Sequence, residues 1–257
     1  MIARQRYSVA LVAALKHLFF SALVALLCAV LVFGLWYPHP YDQLVGGREL
    51  FLLVIIVDVI CGPLLTFVVF NPAKPRRELV RDISIIVLLQ FAALSYGLYS
   101  VAEARPVFLS YEGNRFRVVT LPEIEIEKIG DAQVTFRDLS LTGPKLIAAR
   151  LSKGTDPDFR ESIQLSLMGL PPSFRPARWL PFDEVKQEAI EEAKPVKTLV
   201  ERYPDKREMI DAALLKVSLR SDEVGYLPLE ARSRNDWIVL LNTATAQPVG
   251  FLPIDGW

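Results

Sequence analysis

Histidine is almost missing from this chain of 257 residues: His17 and His39 are the only two. Nothing after position 39 can supply the imidazole of a Ser–His or Cys–His nucleophile, and no glycine-rich phosphate loop is present. Cysteine is equally scarce. Cys28 and Cys61 both fall inside apolar runs, where a disulfide is not expected, and two thiols are too few for a structural zinc site. The bland reading, small apolar residues packed between helices, is the expectation for both. Net charge is also lacking: 29 Lys and Arg balance 29 Asp and Glu, so no long-range field draws the chain to nucleic acid. No internal repeat or low-complexity tract occurs.

What is present is unevenly placed. Before position 102 the basic residues are only Arg4, Arg6, Lys16, Arg48, Lys74, Arg76, Arg77 and Arg81, and the acidic ones Asp42, Glu49, Asp58, Glu78 and Asp82. The remaining charges crowd the C-terminal part. Such a split predicts a membrane anchor joined to a folded domain stable without cross-links.

Three apolar runs are long enough to span a bilayer core, which needs about 20 helical residues. Leu18–Trp36 contains no charge at all, Leu50–Phe70 is interrupted by Asp58 and Gly62-Pro63, and Ile83–Val101 carries Gln90, Ser95 and Tyr96. The first run is too long for a signal-peptide core and ends in bulky residues, Phe33 to Tyr37, so an uncleaved anchor is expected. Short loops rich in Lys and Arg stay cytoplasmic. The N-terminus and the 71–82 loop, with Lys74, Arg76, Arg77 and Arg81, therefore lie inside, and the chain from 102 onward lies outside. The expected layout is a cytoplasmic segment 1–17, spans 18–37, 50–70 and 83–101, an outer loop 38–49, the basic loop 71–82 and an outer domain 102–257. Residues before Leu18 form a helix along the inner face or extend the first span. Trp36, Tyr37, Tyr41, Tyr96 and Tyr99 cluster towards the outer ends, where aromatic rings favour the headgroup level.

Asp58 sits near the middle of its span, where a carboxylate costs several kcal/mol. Counted from the span ends, its depth matches Ser95 and Tyr96 better than Gln90, and both can donate a hydrogen bond. Pro63 removes a backbone donor one turn on and predicts a kink. One reading of Asp58 is a structural or partner-recognising polar point; another is a proton or ion relay. Three helices and one carboxylate offer no inverted repeat and no second relay group, a deficiency that an oligomer would repair.

Residues 102–257 read as α+β. Val107–Tyr111 and Arg115–Val119 flank turn residues as a hairpin, and Leu146–Leu151 suggests a short strand. Asp156-Pro157 caps a helix over 158–168, and a proline-marked connector follows to Pro181. Helices are expected from Asp183 to Pro195, over 196–201 and over 205–218, and strands at 225–231, 237–242 and 248–253. Acidic pairs such as Glu191-Glu192 read as solvated faces. Trp179, Trp237 and Trp257 mark either a partner surface or the core; core packing suits Trp237 best.

Several consecutive motifs carry a more specific signal. The stretch Leu50 to Asp58-Val-Ile-Cys-Gly62-Pro63-Leu-Leu-Thr66, then Val69-Phe70-Asn71-Pro72-Ala-Lys74-Pro75-Arg76-Arg77-Glu78-Leu79 and Asp82, resembles the TfpX/TfpZ family of type IV pilin accessory proteins. Gln90, Ala92-Ala93-Leu94, Tyr96-Gly97, Tyr99 and Ala104-Arg105-Pro106-Val107 extend the likeness, as do Tyr37-Pro38 and Pro40-Tyr41. It is dense over 37–119 and diffuse beyond. The resemblance implies a bacterial inner-membrane protein with a periplasmic domain that influences assembly or display of a cognate pilin. Its partners would be that pilin, the lipid bilayer and other pilus assembly proteins, with neither a cofactor nor catalysis implied. Asp58, Gly62, Pro63, Ser95 and Tyr96 are the candidate intramembrane contacts. The competing classes are a small transport or channel subunit using Asp58 and an envelope enzyme.

Overall fold

The computed structural model describes residues 2–257, with side chains from Arg6 onward, so Arg4 lies outside the described side chains. The chain divides into two compact units, Met1–Arg105 and Pro106–Trp257.

In the first unit, α1 (Ile2–Leu31) closes in a π-turn over Val32–Trp36, where the Tyr37 N–H donates to the Val32 carbonyl at 2.7 Å. A short α2 (Tyr41–Leu44) precedes α3 (Gly47–Val69) and α4 (Arg76–Glu103). Three stretches, Arg6–Trp36, Gly47–Val69 and Arg76–Glu103, are long and apolar enough to cross a membrane. Residues 2–17 are helical and continuous with the first apolar run in α1, since no Gly or Pro interrupts the chain before Gly34. At 1.5 Å per residue the 31-residue stretch is about 46 Å long, well beyond a bilayer core. Phe19, Leu27, Val30, Leu53, Val68, Leu88 and Phe91 all point outward and exposed, a surface suited to hydrocarbon and not to water.

Each inner helix buries a stripe. On α3 it is Gly47, Phe51, Asp58, Gly62 and Thr66, and on α4 it is Ile86, Leu94, Gly97 and Val101. These spacings of three, four, seven and eight put the residues on one helical face. Cys28 packs in the core with Val32, Tyr37, Phe51 and Leu94. Cys61 departs from expectation: it falls off the α3 stripe and is exposed. Tyr37 and Tyr41 are buried within the protein. The Tyr37 hydroxyl donates to the Val101 carbonyl at 2.8 Å. Gly47 makes room for that ring, since a Cβ there would stand 2.3 Å from it. Tyr37 therefore ties the end of α1 to the ends of α3 and α4.

The second unit is α+β, as expected, around one mixed sheet. Its strands are β1 (Pro106–Tyr111), β2 (Phe116–Thr120), β3 (Lys145–Ala149), β4 (Trp179–Leu180), β5 (Lys194–Pro195), β6 (Val224–Ala231), β7 (Arg234–Asn242) and β8 (Pro248–Leu252). The helices between them are α5 (Val134–Arg137), α6 (Phe159–Leu167), α7 (Lys186–Glu192), α8 (Val196–Arg202) and α9 (Arg207–Val217). The sheet order is β4-β3-β1-β2-β6-β7-β8, with β5 also pairing β6. β1 and β2 form the expected hairpin, and β6, β7 and β8 an antiparallel meander. Two parallel pairings join the pieces: β1 with β3 and β2 with β6.

One core packs Val107, Phe108, Val119, Phe136, Ile147 and Trp179, and another sets Val196, Leu199, Ile210 and Leu214 against Val224, Tyr226, Ile238 and Leu240. Trp179 is a core residue, its ring edge-on to Phe108 and its Nε1–H donating to the Ser173 carbonyl at 2.7 Å. Trp237 is buried too, whereas Trp257 is exposed and donates to the Asn235 carbonyl at 3.1 Å. At the start of α6, Asp156 accepts from the Lys153 N–H and closes the preceding turn, while Asp158 pairs with Arg178 instead of capping.

Candidate functional site

Asp58 lies on the buried stripe of α3, about one-tenth exposed. Its partner is Gln90, not Ser95 or Tyr96. Gln90 Nε2 donates to the Asp58 main-chain carbonyl at 2.9 Å and to its carboxylate Oδ1 at 3.2 Å. The expected pairing fails because depth counted from the ends of apolar runs ignores where the helices begin and which way they face. α3 starts at Gly47, three residues before the apolar run, which shifts the antiparallel register. Gln90 also sits between Ile86 and Leu94 on the inward stripe of α4, whereas Ser95 and Tyr96 lie off it, Tyr96 at 74% exposure.

Gly62 is the geometric condition for this contact. A Cβ built on it would meet Gln90 Nε2 at 2.0 Å, so only glycine leaves space for the carboxamide against α3. Gly97 repeats the device one layer away, where a Cβ would meet Val54 Cγ1 at 2.4 Å. Close approach at small residues is how membrane helices gain packing contact. Pro63 is buried beside Gly62, and α3 remains helical through it from Gly47 to Val69. One turn further, His17 Nδ1 on α1 lies 2.6 Å from Thr66 Oγ1 on α3.

These polar groups line a cavity of about 510 Å³ between α1, α3 and α4, with Lys16, His17, Ser21, Asp58, Thr66 and Gln90 set among apolar walls. A second cavity of about 310 Å³ lies between α3 and α4 and includes Tyr96, Gly97 and Cys61. Asp58 and Gln90 line both. Ser95 lines neither.

The basic loop is partly paired. Lys74 Nζ donates to Asp82 Oδ2 at 2.7 Å, and Arg81 approaches the other carboxylate oxygen at 3.4 Å. Arg76 and Arg77 are exposed in the first turn of α4. Cations at a helix N-terminus oppose its dipole, so helix stability does not account for them.

In the second unit a charge cluster stands where sequence reasoning had marked only strands. Glu112, at 4% exposure, accepts from Arg117 Nε and from the Ser173 N–H, both at 3.0 Å. Arg117 also donates to Glu230 at 2.7 Å, and Arg115 joins the same carboxylate at 3.3 Å. Burial alone would lower the Arg117 pKa, but the two carboxylates outweigh it and hold the guanidinium more firmly protonated. The cluster lines a cavity of about 540 Å³ with Ser162, Ile163 and Leu167 of α6. The only signal for it was alternation in Arg115-Phe-Arg117, which places both guanidiniums on one face of the strand. Among the described residues, no three His, Cys, Asp or Glu side chains gather as a metal-holding group.

A family model described as fimbrial assembly protein FimB matches residues 5–46, which cover most of α1, the π-turn and α2. The TfpX/TfpZ likeness was densest over 37–119, so the two stretches share only the Tyr37–Pro-rich loop. Fimbrial assembly proteins of Dichelobacter nodosus from serogroups I and E1 are each 32% identical to this chain over 227 residues, 88% of either chain. A shorter one, from serogroups C1 and C2, is 40% identical over 116 residues, 45% of this chain and 88% of its own length. No solved structure matches significantly. The TfpX/TfpZ name itself is not what matches, although the kind of protein is the same. On the evidence of relatives aligned over nearly their whole length, the chain belongs to the FimB family of fimbrial assembly proteins.

Proposed function

We propose that this protein is a multi-pass accessory factor of the bacterial inner membrane that binds a type IV pilin and promotes its stability, assembly or display. It acts by binding and not by catalysis. The supporting observation is the Asp58–Gln90 pair, two polar side chains held together inside a helix bundle whose surroundings are hydrocarbon-like. Intramembrane polar groups of this kind mark contact or transport sites. The relatives, fimbrial assembly proteins distinguished by serogroup, favour contact with a surface subunit that varies between strains.

In this reading the spans hold the pilin's membrane helix and the second unit, in the periplasm, meets its head. The exposed Arg76 and Arg77 keep the α3–α4 loop inside, so that the chain beyond Glu103 emerges outside. Co-purification of detergent-extracted full-length protein with its pilin tests the idea. Wild-type protein retains pilin, while Asp58→Ala and removal of residues 106–257 each weaken retention and piliation. Unchanged piliation in both variants refutes it. A phosphatase reporter, active only outside the cytosol, is silent when fused after Lys74 and active when fused after Glu103; the reverse pattern removes the periplasmic encounter.

A further inference from the structure

The orientation of the Gln90 carboxamide is dictated by chemistry. Its Nε2 lies 2.9 Å from the Asp58 main-chain carbonyl, an oxygen that can only accept. The NH₂ end must therefore face Asp58 in any protonation state of the carboxyl, and the carboxamide oxygen must face elsewhere. That oxygen, Oε1, is buried and has no hydrogen-bond partner among the described residues. Lipid tails have no donor to give it, and an unmet polar group in hydrocarbon is costly. Beside it stands the Asp58 carboxylate, a second acceptor. Both residues line the 510 Å³ cavity, whose other walls include Phe20, Val24, Val87 and Leu94. The ionisable groups facing this space are Asp58 from α3 and Lys16 and His17 from α1; α4 contributes none.

We infer that this cavity receives a hydrogen-bond donor borne on the transmembrane helix of a partner, with Gln90 Oε1 and the Asp58 carboxylate as its acceptors. This rests on the pilin-binding reading and names the chemistry by which a membrane helix is recognised. The partner helix packs against the cavity and presents a hydroxyl, amide or amine to it. Gly62 takes part as a positioning residue, because it lets the carboxamide reach this place.

The test uses full-length protein in lipid nanodiscs and, as probes, labelled polyleucine transmembrane peptides of about 20 residues carrying Leu, Ser or Lys at the centre. Energy transfer from a dye on the protein's C-terminus reports association. The Ser and Lys peptides associate about tenfold more tightly than the all-Leu peptide, the range of an interhelical hydrogen bond in model peptides. Gln90→Leu, which removes the polar group without straining a lipid-embedded helix, reduces that preference to about twofold or less. Gly62→Ala displaces the carboxamide without deleting it and does the same, while circular dichroism shows helix content retained in both. Equal association of all three peptides overturns the inference, as does a donor preference that survives both variants. Pilin co-purification persisting without donor preference rejects the recognition chemistry alone. Donor preference persisting without co-purification rejects the pilus reading alone.

Discussion

Replacing Gly62 by alanine adds one methyl group at the most crowded point of the helix bundle. The new Cβ would lie 2.0 Å from Gln90 Nε2 and 2.4 Å from its Cδ, so the carboxamide must swing away. Two interhelical hydrogen bonds are then lost, one of them long at 3.2 Å. At about 0.6–2 kcal/mol each within a membrane, the loss is about 1–4 kcal/mol. The greater helix propensity of alanine returns at most about 1 kcal/mol. Gly34 provides the contrast, since nothing stands within 4 Å of a Cβ there and Gly34→Ala is neutral or mildly stabilising. Unfolding of both variants in mixed micelles, titrated with dodecyl sulfate and followed by helical circular dichroism, measures the difference. If Gly62→Ala is as stable as wild type, or costs no more than Gly34→Ala, the packing argument for this site is wrong.

Gly97→Ala drives a Cβ to 2.4 Å from Val54 Cγ1 and costs about 1–3 kcal/mol by overpacking, and adding Val54→Ala restores most of it in the same unfolding assay; simple additivity of the two would count against the contact. Glu112→Ala leaves Arg117 paired with Glu230 alone and the Ser173 N–H without its acceptor, and thermal melting of the full chain shows a loss of about 1–3 kcal/mol in the second unit; a change below about 0.5 kcal/mol contradicts the assigned role. Glu223 accepts from the Arg220 N–H at 2.9 Å, and this bond, with the nearby Arg220 guanidinium, holds its carboxyl below the ordinary glutamate value. Because the folded form is depressed, the turn's contribution is present above the unfolded value and disappears as pH falls through the folded one. NMR titration of Glu223 should follow that order, and a midpoint at or above the ordinary value disproves the bond.

The three spans were legible because each is a long apolar run and the loop charges differ sharply, two signals that need no tertiary information. The hairpin of β1 and β2 and the meander of β6 to β8 were legible for a similar reason, with alternation and turn residues lying close together. What could not be read was pairing between distant segments. Nothing local announces that β1 lies parallel to β3 or β2 to β6. The two-residue strands β4 and β5 are too short for any periodicity. The site followed the same rule. Asp58 and Gly62 stood out as a charge and a glycine beside proline in an apolar run. Gln90 was noticed but set aside, because depth was counted where helical facing decides. The i, i+4, i+8 spacing of Ile86, Gln90 and Leu94 held the better signal.

The pairing of β2 with β6 brings Arg117 to Glu230 across 113 residues of chain. Such a closure cannot occur until almost the whole polypeptide is available to fold. From Pro106 onward the growing unit therefore waits, β2 open on one side, until the final fifth of that unit is in place. A chain cut before β6 keeps β4, β3, β1 and β2 paired but leaves β2 as an open strand edge, available to proteases and to other strands.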